Sequence, residues 1–232
     1  MRGVICVLAV AALFATAARA DQTASYSWED GTGTILGSYG NLVDPTNVTG
    51  MQTGSKGDVP PLTWTCPGAY DGDRYLHVAE EPQSGTPQAY VAWITGLVPG
   101  DMVYASIWGY DDEAADPNPD LRIWAHYATD DNIENYQGSA GEGLNNSGYT
   151  TGIGWEQMSS SWEFGNPAGY GAETALVIEL RLYSSPTTGD YRTDYWADLV
   201  TVTAPDTATI HFAPEPSSLV LLALGAVLLR RR

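Results

Sequence analysis

Two stretches of strict alternation constrain this chain more than any other feature. Over residues 121–127, Leu121, Ile123, Ala125 and Tyr127 fall on one side of an extended backbone, and Arg122, Trp124 and His126 on the other. Over residues 174–183, Leu176, Ile178, Leu180 and Leu182 oppose Val177, Glu179, Arg181 and Tyr183. A period of two sets one apolar face of a strand against a core and turns the other outward. Between Asp21 and Ala213 no apolar spacing follows a helical period, so this part of the chain is expected to be all-β.

Turn chemistry divides the rest. Strands are expected at 26–29, 34–37, 62–66, 75–78, 88–94, 102–110, 155–164 and 195–203, between clusters such as Asp30-Gly31, Pro67-Gly68 and Asp71-Gly72. Residues 41–61, rich in Gly, Asn, Asp and Thr, read as a long loop with at most a short strand, and 129–154 as an exposed loop with room for a short strand. Pro99-Gly100 supplies a tight turn, which predicts a hairpin of 88–94 with 102–110. The same reading pairs 102–110 with 121–128 across an acidic, proline-containing loop. About nine strands, with no internal repeat and no second core, predict a single β-sandwich over residues 21–213.

The two ends have a different character. Residues 1–20 carry Arg2, an apolar run and Ala18-Arg19-Ala20 before Asp21, the pattern of a cleaved secretory signal peptide. Residues 214–232 begin with Pro214-Glu215-Pro216-Ser217-Ser218, continue through an uncharged apolar run, Leu219 to Leu229, and close on Arg230, Arg231 and Arg232. The run has eleven residues, roughly 16 Å as a helix, so spanning a bilayer would rely on the serines at its start and on arginines snorkelling at its end. The arginines would keep that end cytoplasmic and the domain outside. These residues resemble the PEP-CTERM sorting signal of exported bacterial proteins. The resemblance implies a transient membrane anchor, recognition by a membrane-embedded exosortase, and delivery to the cell surface or extracellular matrix.

Charge narrows the partners. Five of the ten basic residues and one of the 28 acidic ones lie in the two ends. The middle retains 27 acids against Lys56, Arg74, Arg122, Arg181 and Arg192, a formal charge of −22. Such a field repels phosphate backbones, which excludes nucleic acid and suits cations or neutral polysaccharide. With Cys66 as the one cysteine beyond residue 20, the domain has no internal disulfide, and Cys66 is expected to be a small buried residue.

A second resemblance spans most of the domain. Trp28-Glu29-Asp30-Gly31 near its start, the segment from Gly96 to Asp101, Gly154-Trp155-Glu156-Gln157-Met158, and the segment from Tyr195 to Val202 together resemble jelly-roll carbohydrate-binding modules. The resemblance implies a structural calcium between the first and last strands, held at Glu29 or Asp30 and at Asp198. The alternative is that these acids simply face solvent beside a turn. The acidic loop from Asp111 to Asp120 is a second metal candidate without EF-hand spacing.

Sugar recognition calls for outward aromatic rings flanked by hydrogen-bonding groups. Trp124 with Arg122 and His126 has that chemistry, Tyr183 with Glu179 and Arg181 extends it, and Trp108 and Tyr110 share a parity on a strand expected to lie alongside. No Gly-x-Ser-x-Gly, His-Glu-x-x-His, Gly-x-Gly-x-x-Gly or P-loop pattern occurs. The expectation is a non-catalytic surface or matrix protein that binds polysaccharide through these aromatics. The alternatives are a glycoside hydrolase or lyase using an acidic pair, and a purely structural coat or adhesion protein.

Overall fold

The computed structural model describes residues 20–31, 33–55, 63–82, 86–111, 121–143, 148, 154–165, 173–183 and 192–213. Among these lie fourteen strands and no helix. In chain order they are β1 (Asp21–Tyr26), β2 (Gly37–Tyr39), β3 (Leu42–Thr49), β4 (Gln52–Ser55), β5 (Thr63–Cys66), β6 (Arg74–Glu80) and β7 (Gln88–Thr95). Then come β8 (Met102–Asp111), β9 (Leu121–Ala128), β10 (Gly138–Gly141), β11 (Gly154–Glu163), β12 (Ala175–Leu182), β13 (Thr193–Pro205) and β14 (Thr209–His211). The expected signal peptide, the sorting signal and most of the acidic loop lie outside the described residues.

Two antiparallel sheets form a sandwich. The first runs β11-β8-β13-β6-β3, with β1 also on β13; the second runs β10-β9-β12-β7-β14, with β2 also on β7. Their facing sides close one core. Leu76, Val78, Val103, Ile107, Tyr195 and Val200 of the first sheet meet Val91, Ile123, Ala125, Leu176, Ile178 and Leu180 of the second. The alternating residues therefore bury the faces expected of them, Leu121 to Tyr127 and Leu176 to Leu182, all of them at most 1 % exposed. Gly109 faces this core from β8, where a side-chain carbon would come within 2.8 Å of both Leu121 and Met158. A small β4–β5 hairpin lies apart from both sheets in its pairing and touches the outside of the first: Tyr110 donates to the Thr65 carbonyl at 3.1 Å.

Pairing departs from the sequence reading at several points. The turn at 98–101 forms, with the Asp101 N–H on the Val98 carbonyl at 3.0 Å, but the strands it joins are not a hairpin. β7 belongs to the second sheet and β8 to the first, so the turn carries the chain across the core. Burial of Leu97 and reciprocal backbone bonds between Phe164 and Gly100-Asp101 hold that crossing. β8 and β9 likewise belong to opposite sheets and do not pair. Residues 41–61 contain β3 and β4, where a long loop with at most a short strand was expected. β3 is an edge strand broken by a register shift between Val43 and Thr46, where Pro45 lacks an N–H for the ladder and Asp44 adopts φ 49°. At the start of the domain β1 covers Asp21–Tyr26 and shares only Tyr26 with the expected 26–29 strand; two residues on, Trp28 takes φ 60°.

Candidate functional site

The outward face of the second sheet is built by register. On β9 and β12, Trp124 lies opposite Glu179 and Arg122 opposite Arg181. On β12 and β7, Glu179 lies opposite Tyr90 and Arg181 opposite Gln88. β2 then places Tyr39 beside Gln88. Alternation turns these residues away from the core, and antiparallel pairing brings four strands' worth of them side by side.

At the centre of this face Glu179 is fully buried. Its Oε1 meets His126 Nδ1 in a short contact, and its Oε2 accepts from Arg181 Nε at 2.8 Å. Gln88 completes the group, its amide nitrogen on Glu179 Oε2 at 3.3 Å and its oxygen on Arg181 Nη2 at 3.1 Å. The Arg181 guanidinium lies over the Trp124 ring, 4.2 Å from its centroid, and Trp124 Nε1 donates to Ser139 Oγ at 3.0 Å. Burial works against the charged guanidinium, but the Glu179 carboxylate and Tyr183 outweigh it, so Arg181 ends above the ordinary arginine pKa. Arg122 turns to Glu142 at 3.0 Å and lies over Tyr183 at 5.0 Å. His126, expected as an exposed contact, is only 1 % exposed: its ring packs 4.9 Å from that of Tyr90 and 5.5 Å from that of Tyr136.

Beside this network opens a cleft of about 400 Å³, lined by Tyr39, Gln88, Tyr90, Glu134, Tyr136 and Arg181. Tyr39 and Tyr136 stand 65 % and 59 % exposed as its walls, while Tyr90 is 5 % exposed. Burial and then the Glu179 and Glu134 carboxylates raise the Tyr90 phenol above its usual range, so it is a neutral donor at any ordinary pH. Glu134 and Tyr136 come from the turn after β9, closed by the Gln137 N–H on the Tyr127 carbonyl at 2.8 Å. The Glu134 carboxylate lies directly against Gly37, where a side-chain carbon would also stand 2.8 Å from the Tyr90 ring. A glycine at 37 thus leaves room for the acid in the cleft.

Of the residues the sequence singled out, Trp124, Arg122 and His126 share this face with Glu179 and Arg181. Trp108 and Tyr110 do not, because β8 lies in the other sheet. Trp108 stacks on Tyr70 at 3.7 Å on the outside of the first sheet, and Tyr110 is buried there with Cys66, Tyr75 and Trp196. The cleft residues Tyr39, Gln88, Tyr90, Glu134 and Tyr136 carry no periodic signal that would group them; Tyr39 and Tyr136, stranded in polar segments, are the nearest sign.

Glu29, Asp30 and Asp198 are placed separately. Asp198 is fully buried where β13 breaks register against β8 and Leu199 adopts φ 43°. Its Oδ2 accepts the N–H groups of Tyr70 and Asp71, both at 2.9 Å, and its Oδ1 that of Leu199 at 2.7 Å. Glu29 Oε1 accepts from the N–H groups of Asp73 at 2.9 Å and Arg74 at 2.7 Å. Asp30 Oδ1 accepts from the Tyr26 hydroxyl at 3.2 Å. Two carboxylates thus clamp the two ends of the 70–74 turn over the first sheet. Among the described residues no three His, Cys, Asp or Glu side chains gather as a metal ligand set.

No protein-family model matches the chain, and no curated protein matches it. Solved structures of similar architecture include the CBM22-1 xylan-binding domain of Paenibacillus barcinonensis Xyn10C, 16 % identical over 82 % of this chain and 98 % of that one, with a TM-score of 0.39. The CBM27-1 domain of Caldicellulosiruptor saccharolyticus, solved with mannohexaose, is 10 % identical over 78 % and 96 %, with a TM-score of 0.38. The K1 cleaved adhesin domain of Lys-gingipain from Porphyromonas gingivalis is 13 % identical over 78 % and 97 %, with a TM-score of 0.35.

Proposed function

We propose that this protein is a non-catalytic component of a bacterial surface or extracellular matrix that binds polysaccharide in the cleft of its second sheet. One observation carries the reading: exposed tyrosine walls stand over a floor where the Gln88 amide and the Arg181 guanidinium are held in place by the buried Glu179 carboxylate. Pyranose rings offer apolar C–H faces to such walls and hydroxyls to such a floor. The two ends supply the route, with residues 1–20 as the export signal and residues 214–232 as the segment read by an exosortase.

Hydrolysis needs two carboxyl groups flanking the scissile bond. Of the two acids here, Glu179 is buried and occupied by His126 and Arg181, which leaves Glu134. That supports binding over catalysis. Retention of the purified protein on a panel of immobilised polysaccharides tests the proposal. Tyr39→Ala combined with Tyr136→Ala is expected to weaken retention about tenfold or more without changing the melting temperature by more than a degree or two. Release of reducing sugar from any retained polymer would restore the enzyme reading. Retention on none would leave the structural coat protein.

A further inference from the structure

Three tyrosines and one glutamate around a cleft form a surface with a definite sign. Tyr39, Tyr90 and Tyr136 present rings whose faces carry negative quadrupole, and Glu134 adds a full charge beside them. Arg181 is the cationic group of the lining, and its charge is matched at 2.8 Å by Glu179 directly beneath. Among the described residues the cleft therefore keeps an uncompensated carboxylate, and it sits in a chain whose residues 21–213 carry a formal charge of −22. A uronic acid or sulfated sugar would be repelled there, and a neutral sugar would leave the carboxylate without a counter-charge.

We propose that the cleft selects a polysaccharide bearing protonated amines, with an ammonium group between the tyrosine rings and Glu134 and the sugar ring against Tyr39 or Tyr136. This rests on the polysaccharide reading and gives its ligand a chemical class. An ammonium is recognised by ring faces and a carboxylate together more strongly than by either alone, because the cleft removes part of its hydration. The Gln88 amide beside them provides the neutral partner that a sugar hydroxyl requires. A lysine-rich peptide shares the ammonium group but offers no hydroxyls and no pyranose face, so the sugar is the better fit.

The test uses the purified protein with one probe in two forms: chitosan oligosaccharides and the same oligosaccharides after N-acetylation, which removes the charge and keeps the chain. Calorimetry is expected to show the amine form binding about tenfold more tightly. That preference should disappear in Glu134→Gln and shrink in about 1 M salt, where the screening length is about 3 Å. Asp206→Asn, an equal charge change in the exposed turn between β13 and β14, should leave the preference intact.

Equal losses in Glu134→Gln and Asp206→Asn would overturn the inference, because binding would then follow net charge alone. Competition by poly-lysine as effective as by chitosan would overturn it too, since the cleft would be reading charge without sugar. Equal affinity for both forms, abolished by the tyrosine double variant, would overturn the amine preference and leave the polysaccharide site standing. No effect of the tyrosine variant on any sugar would bring down both.

Discussion

Glu179→Ala is expected to lower the stability of the protein by about 3–5 kcal/mol, the scale on which removing one member of a buried ion pair acts. For a domain of this size that corresponds to a melting temperature lower by roughly 10 °C. The carboxylate is fully buried and holds three neighbours, His126, Arg181 and Gln88. Without it the Arg181 guanidinium, whose side chain is 13 % exposed, keeps its charge and loses the carboxylate that accepts its Nε–H at 2.8 Å. Its stacking on Trp124 and its hydrogen bond to the Gln88 oxygen then hold a largely desolvated cation. Glu179→Gln keeps the shape and one acceptor oxygen, so its loss should be smaller. Urea denaturation of the two variants measures the difference. A loss below about 1 kcal/mol in Glu179→Ala would show that the carboxylate does not support the face as described.

The second large effect belongs to Asp198. Burial, opposed by three backbone N–H donors, raises its pKa from 3.8 to about 6. The folded value lies above the unfolded one, so the native state binds the extra proton. The associated stability is fully present below about pH 4 and is lost as pH rises through about 6. The span corresponds to about 3 kcal/mol. Asp198→Asn carries no titrating group, so the stability difference between wild type and variant should shift by about that amount in favour of wild type from pH 7 to pH 4. Asp198→Ala should cost about 3 kcal/mol at low pH, because the N–H groups of Tyr70, Asp71 and Leu199 lose their acceptor and the turn over Trp108 is freed. A calcium ion at Glu29, Asp30 and Asp198, the expectation from the sequence resemblance, would hold the carboxylate ionised and erase the gain at low pH. Thermal melts in calcium and in EDTA across this pH range distinguish a metal staple from an N–H clamp.

Local patterns reached the faces of strands and stopped at their partners. Leu121 to Tyr127 and Leu176 to Leu182 alternate because one side of each strand faces the core, and that places Trp124, Arg122, Glu179 and Arg181 on the opposite face, where Val177 and Glu179 are covered as well. Pairing is a different kind of information. Pro99-Gly100 specifies a reversal of direction, yet whether β8 returns beside β7 or crosses to the other sheet depends on Leu97 and on Phe164, more than sixty residues away. β3 is hidden for a local reason, since Pro45 and the positive φ of Asp44 look like loop chemistry and here form a bulge. The cleft is hidden for a global one. Tyr39, Tyr90 and Tyr136 lie about fifty residues apart in sequence, and only the sheet brings them together.

β1 has a consequence for how the chain comes to fold at all. Its six residues pair with residues 200–205 of β13 and, among the described residues, with no other strand. Of the described strands β1 is made earliest, and its partner is made only after nearly all of the others. Growth from the N-terminus cannot lay down the first sheet strand by strand, and its closure is one late event that joins the two extremities of the domain. Topologies so dominated by distant pairings fold on the scale of milliseconds to seconds. Through that interval the Thr23 and Ser25 hydroxyls, later bonded to Thr203 and Thr201, keep the waiting strand hydrated on the side it will continue to show to water.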